Sequence, residues 1–379
     1  MNFLGEPFLW VLALGTPVYW ALPRVWRLPT AALAALLFLT WIAPVSAAFC
    51  LTLGVFSYAL AKRSLTLNRA YLAAISMLVA LVLLRNILVL SWDAGTSSVV
   101  PWLGSAFFVL RTAHYLIASA QGQVPEHRWH DYFCYLFFPP TLLVGPVQRF
   151  TDFEREARRC RFDTQRLSAG FERLLFGYAK VVLLADYLFG LKFSEVITAL
   201  DPGLTRTYLE SLQYGLTLYC KFAGYSDVAI GFGLLLGLRL PENFNHPYLA
   251  RNIADFWQRW HISVSAWCRD HVSFPLYAST RSAGLAALVA MLVLGLWHES
   301  SVRYLLWGAY HGCGILIWQQ WRSVSDSRGW QQAASENVFY DLAARFLTFN
   351  FVVIGFTITR ATNLSVEGIL TTFRHLVGL

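Results

Sequence analysis

Charged residues are scarce in this sequence. Asp, Glu, Lys and Arg make up 14% of its 379 residues, against roughly 25% in an ordinary soluble domain. That shortage argues against a soluble globular protein. Hydrophobic residues make up 56% of the chain, and their runs recur along the whole length, long enough, or nearly so when tilted, to cross a bilayer core of roughly 30 Å. We therefore predict an all-α, polytopic helical bundle in a membrane.

Other absences narrow the class further. The six cysteines form no CxxC pair and lie mostly in apolar sequence, which predicts small buried hydrophobes rather than metal ligands or disulfides. The net charge of +8 is not gathered into a dense basic cluster, so we assign it to cytoplasmic loops beside anionic lipid and expect no nucleic-acid partner. The opening stretch lacks a basic start and a small-residue cleavage site, and we interpret it as a retained first helix.

Hydropathy predicts about ten spans, several of them shorter than a full crossing. Basic residues fall in alternate loops, whereas the 93–101 loop has none, so the N-terminus is predicted to lie outside. No repeat or domain boundary is visible, and residues 1–379 are predicted to form one domain. The candidate spans are 8–22, 30–44, 47–61, 71–92, 102–120, 174–191, 207–222, 283–297, 304–321 and 346–358.

The apolar stretch YFCYLFFPPTLLVGPVQRF, residues 132–150, is broken by Pro139, Pro140, Gly145 and Pro146. It returns to a charged segment, so it is predicted to be re-entrant or to pair with another short element. Irregular backbone persists at membrane depth only when it is buried in protein or lines a watered cavity. We favour a cavity.

A second unusual stretch, residues 243–270, crowds charges and tryptophans into an apolar chain. From Asp255 onward, Phe256, Trp260, Val264 and Trp267 recur at spacings of three and four, which predicts one amphipathic helix. His261 follows Trp260 and lies four residues after Trp257, so indoles are expected to border its ring. The alternative is an ordinary interfacial helix with solvated charges.

Two further histidines lie at the edge of, or inside, apolar runs. In LWHESSVRYLLWGAYHG, His298 ends one run and His311 lies within the next, one turn after Trp307. A histidine at membrane depth marks a functional site or a hydrogen bond inside a bundle. Taken alone, His311 fits a satisfied core histidine as well as a catalytic one.

Long motifs in a fixed order resemble the membrane-bound O-acyltransferase family, in particular its bacterial branch that O-acetylates alginate and other polysaccharides. A related branch transfers D-alanine to teichoic acids. The resemblance covers nearly the whole chain, with Glu299 where relatives carry a glycine and Gln258 and Arg259 where they carry an arginine pair. It rests on FFPPTLLVGPVQRF, GYAKVVLLADYL, GYSDVAIGFGLLLGLRLPENFNHPY, FWQRWHISVSAWCRD and LWHESSVRYLLWGAYHG.

The resemblance implies a bundle of helices, some short and re-entrant or interfacial, around a funnel or tunnel. The family's invariant histidine falls on His311 and its second polar position on His261, with His298 a weaker candidate. As general base, His311 would take the proton of a hydroxyl, or it would briefly carry the acyl group, while His261 orients the substrate or donates to the oxyanion. Weaker expected tunnel-lining residues are Trp257, Trp260, Trp307, Asn243 and Asp227, the last favoured as a helix cap together with Ser226.

The implied reaction moves an acyl group, an acetyl group in the favoured case, from a cytoplasmic thioester toward the outside of a bacterial cytoplasmic membrane. Acetyl-CoA is the favoured donor and an acyl carrier protein thioester the alternative, with no bound cofactor and no metal. The acceptor is a polysaccharide hydroxyl or a partner transferase outside the membrane. A transporter or export component and a non-catalytic scaffold for polysaccharide modification are the competing interpretations.

Overall fold

The computed structural model describes residues 5–63, 65–92, 104–329 and 337–360. Within these ranges every regular element is a helix, which confirms the all-α prediction. Several helices are long and apolar enough to cross a membrane, as expected of a multi-pass membrane protein. In the described part of the chain these are Arg24–Ile42, Pro44–Ala61, Leu67–Leu84, Thr164–Thr198 and Val338–Arg360.

The chain divides into two compact units. The first comprises residues 1–178 and 224–241, and the second comprises residues 179–223 and 242–379. The single-domain assignment stays a prediction. The described helices of the first unit are Glu6–Trp10, Val11–Gly15, Thr16–Ala21, Arg24–Ile42, Pro44–Ala61, Leu67–Trp92, Ser105–Ala120, Trp129–Leu136, Pro139–Thr141, Phe150–Arg159 and Thr164–Tyr178.

In the first unit, the proline-rich stretch 132–150 does not form one helix that crosses the membrane. This confirms the prediction from its prolines. An eight-residue helix, Trp129–Leu136, is followed by a single 3-10 turn at Pro139–Thr141. The fully buried Arg111 guanidinium donates to the carbonyl oxygens of Tyr135 and Leu136 at 3.1 and 2.8 Å and to the Thr141 hydroxyl at 3.1 Å. The broken backbone is therefore satisfied inside protein, which is one of the two settings expected for it.

The cap interpretation of Asp227 is wrong. Asp227 lies well inside the uninterrupted helix Leu204–Leu235, where no helix start needs a cap. Its carboxylate accepts a hydrogen bond from Arg173 Nε at 2.6 Å. The helices carrying the two residues approach very closely, because a Cβ on Gly177 would lie 2.7 Å from the carbonyl oxygen of Gly224.

The second unit contains the stretches with the candidate histidines. Its helices include Ala179–Phe193, Ser194–Thr198, Pro247–Leu249, Arg269–Ser273 and Phe274–Thr280. The six helices used below are numbered in chain order: α1, Leu204–Leu235, whose residues up to 223 belong to this unit; α2, Ile253–Arg259; α3, Ile262–Cys268; α4, Ala283–His298; α5, Val302–Ser327; and α6, Val338–Arg360.

Helices α4 and α5 form a tight antiparallel pair. A Cβ on Gly308 of α5 would lie 2.5 Å from the Met291 carbonyl oxygen of α4, so only a glycine allows the two backbones to come this close. The three-residue connection 299–301 brings the end of α4 beside the start of α5. There Glu299 and Arg303 are ion-paired at 2.6 Å.

Candidate active site in the second unit

The predicted single helix through residues 255–270 is in fact two helices, and this prediction is wrong. Helix α2 ends at Arg259 and α3 begins at Ile262. Between them, His261 adopts a left-handed backbone conformation with φ of 45°, which a non-glycine residue rarely takes. The break places the His261 side chain at a corner of the chain rather than along a helix face.

A side chain distant in sequence stabilises this corner. The backbone oxygen of Asn243 accepts a hydrogen bond from Ile262 N at 2.8 Å. Its amide oxygen accepts from Ser263 N at 3.2 Å and from the Ser263 hydroxyl at 2.9 Å. These bonds satisfy donors that the start of α3 would otherwise leave open. Sequence periodicity could not show this, because the partner lies about twenty residues away.

The apolar stripe is nevertheless buried, as the spacing indicated. Phe256, Trp260, Val264 and Trp267 are each less than one-tenth exposed. The charge of Arg259 is paired locally with Asp255 at 2.6 Å. The two short helices therefore dip into the protein, and the interpretation as a surface helix with all its charges solvated is not supported.

Helix α2, the corner at Trp260 and His261, and helices α1, α4, α5 and α6 line a cavity of about 70 Å³. The structure brings together in its walls all three candidate histidines and all three candidate tryptophans. The lining residues are Tyr214, Leu218, Phe222, Phe256, Trp257, Trp260, His261, His298, Tyr304, Trp307, His311, Val352, Phe356 and Thr359.

His311 is the most completely enclosed of the three histidines. Its side chain is 1% exposed. The centre of its ring lies 5.0 Å from that of Trp307, 5.3 Å from Trp257, 5.6 Å from Phe351 and 5.5 Å from Tyr310. Aromatic walls of this kind exclude water from the ring.

Around His311, three buried ring nitrogens lack hydrogen-bond partners among the described residues: Nδ1 of His311 and the indole Nε1 atoms of Trp257 and Trp307. Buried polar groups in native proteins are almost always satisfied, so each exception calls for an explanation. The rings of all three side chains meet at one place, with Trp257 and Trp307 5.6 Å apart. This arrangement fits a polar reactant that binds between the rings.

The other two histidines occupy the same cavity on different elements. His261 has Phe222, Phe244 and Trp297 as ring neighbours, with centres 6.1, 6.0 and 6.3 Å away. An indole does border His261, as expected, and it is that of Trp297 on α4, whereas Trp257 packs against His311. His298, the last residue of α4, lies 5.7 Å from Trp307.

Two predicted tunnel residues do not line the cavity. Asn243 is buried and fixes the α2–α3 corner, and Asp227 belongs to the first unit. Sequence reasoning in turn missed several cavity residues, among them Tyr214, Phe256 and Phe356. Phe256 sat in the predicted apolar stripe, but nothing in the sequence distinguishes a cavity wall from ordinary core.

Together, these features define a helical membrane protein whose second unit holds a buried histidine, His311, walled by aromatic rings. Comparison with known proteins supplies the class. The model of the membrane-bound O-acyltransferase family matches residues 30–352. The chain belongs to this family, as its motifs indicated.

Three relatives illustrate the match. The chain is 35% identical over 268 residues to a probable alginate O-acetylase of Pseudomonas aeruginosa, covering 70% of this chain and 49% of that protein. It is 34% identical over 271 residues to a probable alginate O-acetylase of Pseudomonas syringae, covering 70% and 50%. A teichoic acid D-alanyltransferase of Streptococcus thermophilus is 27% identical over 290 residues, covering 70% and 69%. The chain thus spans about half the length of the alginate O-acetylases that it matches.

Proposed function

We propose that this protein is an O-acyltransferase that moves a short acyl group, favoured to be acetyl, from a thioester to a hydroxyl, with His311 as general base. The observation that carries the proposal is the meeting of His311, Trp257 and Trp307 in one buried cavity, each with an unsatisfied ring nitrogen. Membership of the acyltransferase family and the alginate O-acetylase relatives support the same chemistry.

The cavity suits a small group. One water molecule needs about 10–15 Å³ of such volume, so a cavity of about 70 Å³ holds only a few groups of that size. An acetyl group fits this space, whereas a long acyl chain would require the aromatic walls to move.

The nitrogens in the cavity suit the steps of acyl transfer. A ring nitrogen of His311 takes the proton of the acceptor hydroxyl while the hydroxyl oxygen forms a bond to the thioester carbonyl carbon. The carbonyl oxygen becomes an oxyanion, and the indole N–H groups of Trp257 and Trp307, which can only donate, are suited to stabilise it. When the carbon–sulfur bond breaks, the thiolate leaves and the proton on His311 returns to it. His261 is assigned the orientation of the acceptor or a further donor to the oxyanion.

We further propose that the donor is cytoplasmic acetyl-CoA, with an acyl carrier protein thioester as the alternative. The acceptor is a polysaccharide hydroxyl, or a partner transferase, outside a bacterial cytoplasmic membrane. The similarity to probable alginate O-acetylases supports an acetyl group and a sugar acceptor. Exclusion of water by the aromatic walls limits hydrolysis of the thioester.

The test supplies radiolabelled acetyl-CoA to inside-out membrane vesicles, with the candidate external acceptor present. Wild type is compared with His311→Gln at equal amounts of folded protein. We expect transfer to fall by about 10²–10⁴-fold, the usual contribution of a general base. The matched control is His130→Gln, because His130 is a partly exposed histidine of the first unit.

Equal labelling by wild type and His311→Gln would reject His311 as the base and favour a scaffold. Labelling by neither protein would reject acetyl-CoA, and the same comparison would then be made with an acetylated acyl carrier protein. A loss of transfer in the His130→Gln control as well would show that the loss is not specific to His311.

A further inference from the structure

A second, larger cavity of about 760 Å³ lies in the same unit, along α5 and α6. Its walls include Arg251, Trp318, Trp321 and Tyr340. On α5 its lining residues all follow His311 toward the C-terminal end of the helix, whereas the first cavity is lined by α5 residues from Tyr304 to His311. The two cavities therefore follow opposite halves of one 26-residue helix.

The two cavities share a partition, because near neighbours on the same helices line different cavities. On α2, Phe256 lines the first cavity and Ile253, one turn earlier, lines the second. On α5, His311 lines the first cavity and Gly314, one turn later, lines the second. On α6, Val352 lines the first cavity and Phe351, its neighbour in the chain, lines the second. Helices α2, α5 and α6 therefore all contribute to the partition.

Phe351 completes this partition beside His311. Its ring lines the second cavity and meets the His311 ring edge to face, with centres 5.6 Å apart. It also stacks on Tyr310 at 4.3 Å, and the Tyr310 hydroxyl donates to the Phe351 carbonyl oxygen at 2.9 Å. A Cβ on Gly314 would lie 2.5 Å from Cζ of the Phe351 ring, so the glycine provides the space that the ring occupies.

We propose that Phe351 is a positioning residue that separates His311 from the second cavity, and that displacement of its ring gives access to His311 from that cavity. His311 already lines the first cavity. When the Phe351 ring moves aside, His311 can also be reached from the second cavity. This role rests on the proposed acyl transfer. In that reaction the thioester and the acceptor hydroxyl must meet at His311, while no continuous water-filled path may join the two cavities.

The test measures access to position 311 directly. A His311→Cys reporter is made in a Cys313→Ser background, because Cys313 is the exposed one among the described cysteines. A membrane-impermeant cationic methanethiosulfonate is added to right-side-out and to inside-out vesicles. A separate Trp321→Cys reporter in the same background identifies the face on which the second cavity opens, since Trp321 is half exposed and lines it.

With Phe351 present, labelling of the position 311 thiol from the Trp321 face should be slow. Phe351→Ala should raise that rate by at least about tenfold, because a close-packed partition excludes the reagent until the ring is removed. The matched control is Phe349→Ala, which removes a ring of the same helix that packs on Tyr248 at 5.6 Å. Phe349→Ala should leave the rate unchanged.

Equal labelling from both faces with Phe351 intact would overturn the proposal, and so would an unchanged rate in Phe351→Ala. If Phe351→Ala does not fold, Phe351→Leu and Gly314→Ala shrink or displace the ring with less loss of packing, and the same increase is expected from them. Labelling requires no acyl transfer, so this result is independent of the proposed function. In protein that retains His311, Phe351→Ala should also raise hydrolysis of acetyl-CoA relative to transfer.

Discussion

Gly355 of α6 controls the position of the proposed catalytic ring. A Cβ built at Gly355 would lie 2.9 Å from His311 Nε2 and 3.1 Å from a Tyr310 ring carbon, where ordinary contacts begin at 3.4 Å. Gly355→Ala must therefore move the imidazole, or α6 itself, by about half an ångström or more. Misplacement by about 1 Å can reduce catalysis by about 10²-fold, so we expect kcat to fall about 10- to 100-fold, equivalent to about 1.4–2.7 kcal/mol of activation free energy.

The assay measures kcat and KM for acetyl transfer in reconstituted vesicles, together with thermal unfolding. Overpacking itself costs about 1–3 kcal/mol of stability, so a control must separate this cost from the effect on the ring. Gly284→Ala is suitable, because its added methyl would meet the side chain of Leu316, and neither residue lines the first cavity. We expect Gly284→Ala to lower stability and leave kcat unchanged. A wild-type kcat for folded Gly355→Ala would refute the claim that Gly355 sets the position of the His311 ring.

Three further predictions concern the supports of the two units. Asn243→Ala should lower the free energy of unfolding by about 1–3 kcal/mol, because the part-buried Ser263 donors lose this acceptor, whereas Asn243→Asp keeps an acceptor oxygen and should cost less; thermal unfolding in detergent distinguishes them. His261→Asn should fold normally, since asparagine tolerates the left-handed backbone, yet lose about 10²-fold in transfer rate if His261 acts on the substrate; retained transfer would reject that role. Arg173→Ala should destabilise the first unit by about 1–3 kcal/mol, because the buried Asp227 carboxylate loses a charged donor, and adding Asp227→Asn should recover part of the loss, whereas no recovery would contradict the ion-pair explanation.

The aromatic walls explain why so costly a stretch occurs in an apolar chain. Trp257 and Trp260 are buried, yet both line the first cavity. Their flanking charges, Asp255 and Arg259, form an ion pair at the part-exposed side of α2. The stretch thus presents rings to the cavity and charges elsewhere, as an amphipathic pattern allows.

The sequence by itself determined the class of fold. Low charge and recurring apolar runs predict helices in a bilayer, because a helix forms the hydrogen bonds of its own backbone groups where no water is present. The breaks at Pro139 and Pro140 were equally predictable, since proline lacks an amide donor and clashes with the preceding turn. Long motifs then indicated the family and the histidines of interest.

Only the tertiary structure decided how those histidines meet. The break at His261 depends on Asn243, and the enclosure of His311 depends on Phe351 and on the close approach allowed at Gly355. These contacts join residues far apart in the chain, and local periodicity carries no information about them. Side chains of a cavity wall and of the core are equally hydrophobic, so the sequence cannot distinguish them. They differ only in what the fold places against them, and tertiary packing therefore decides which becomes which.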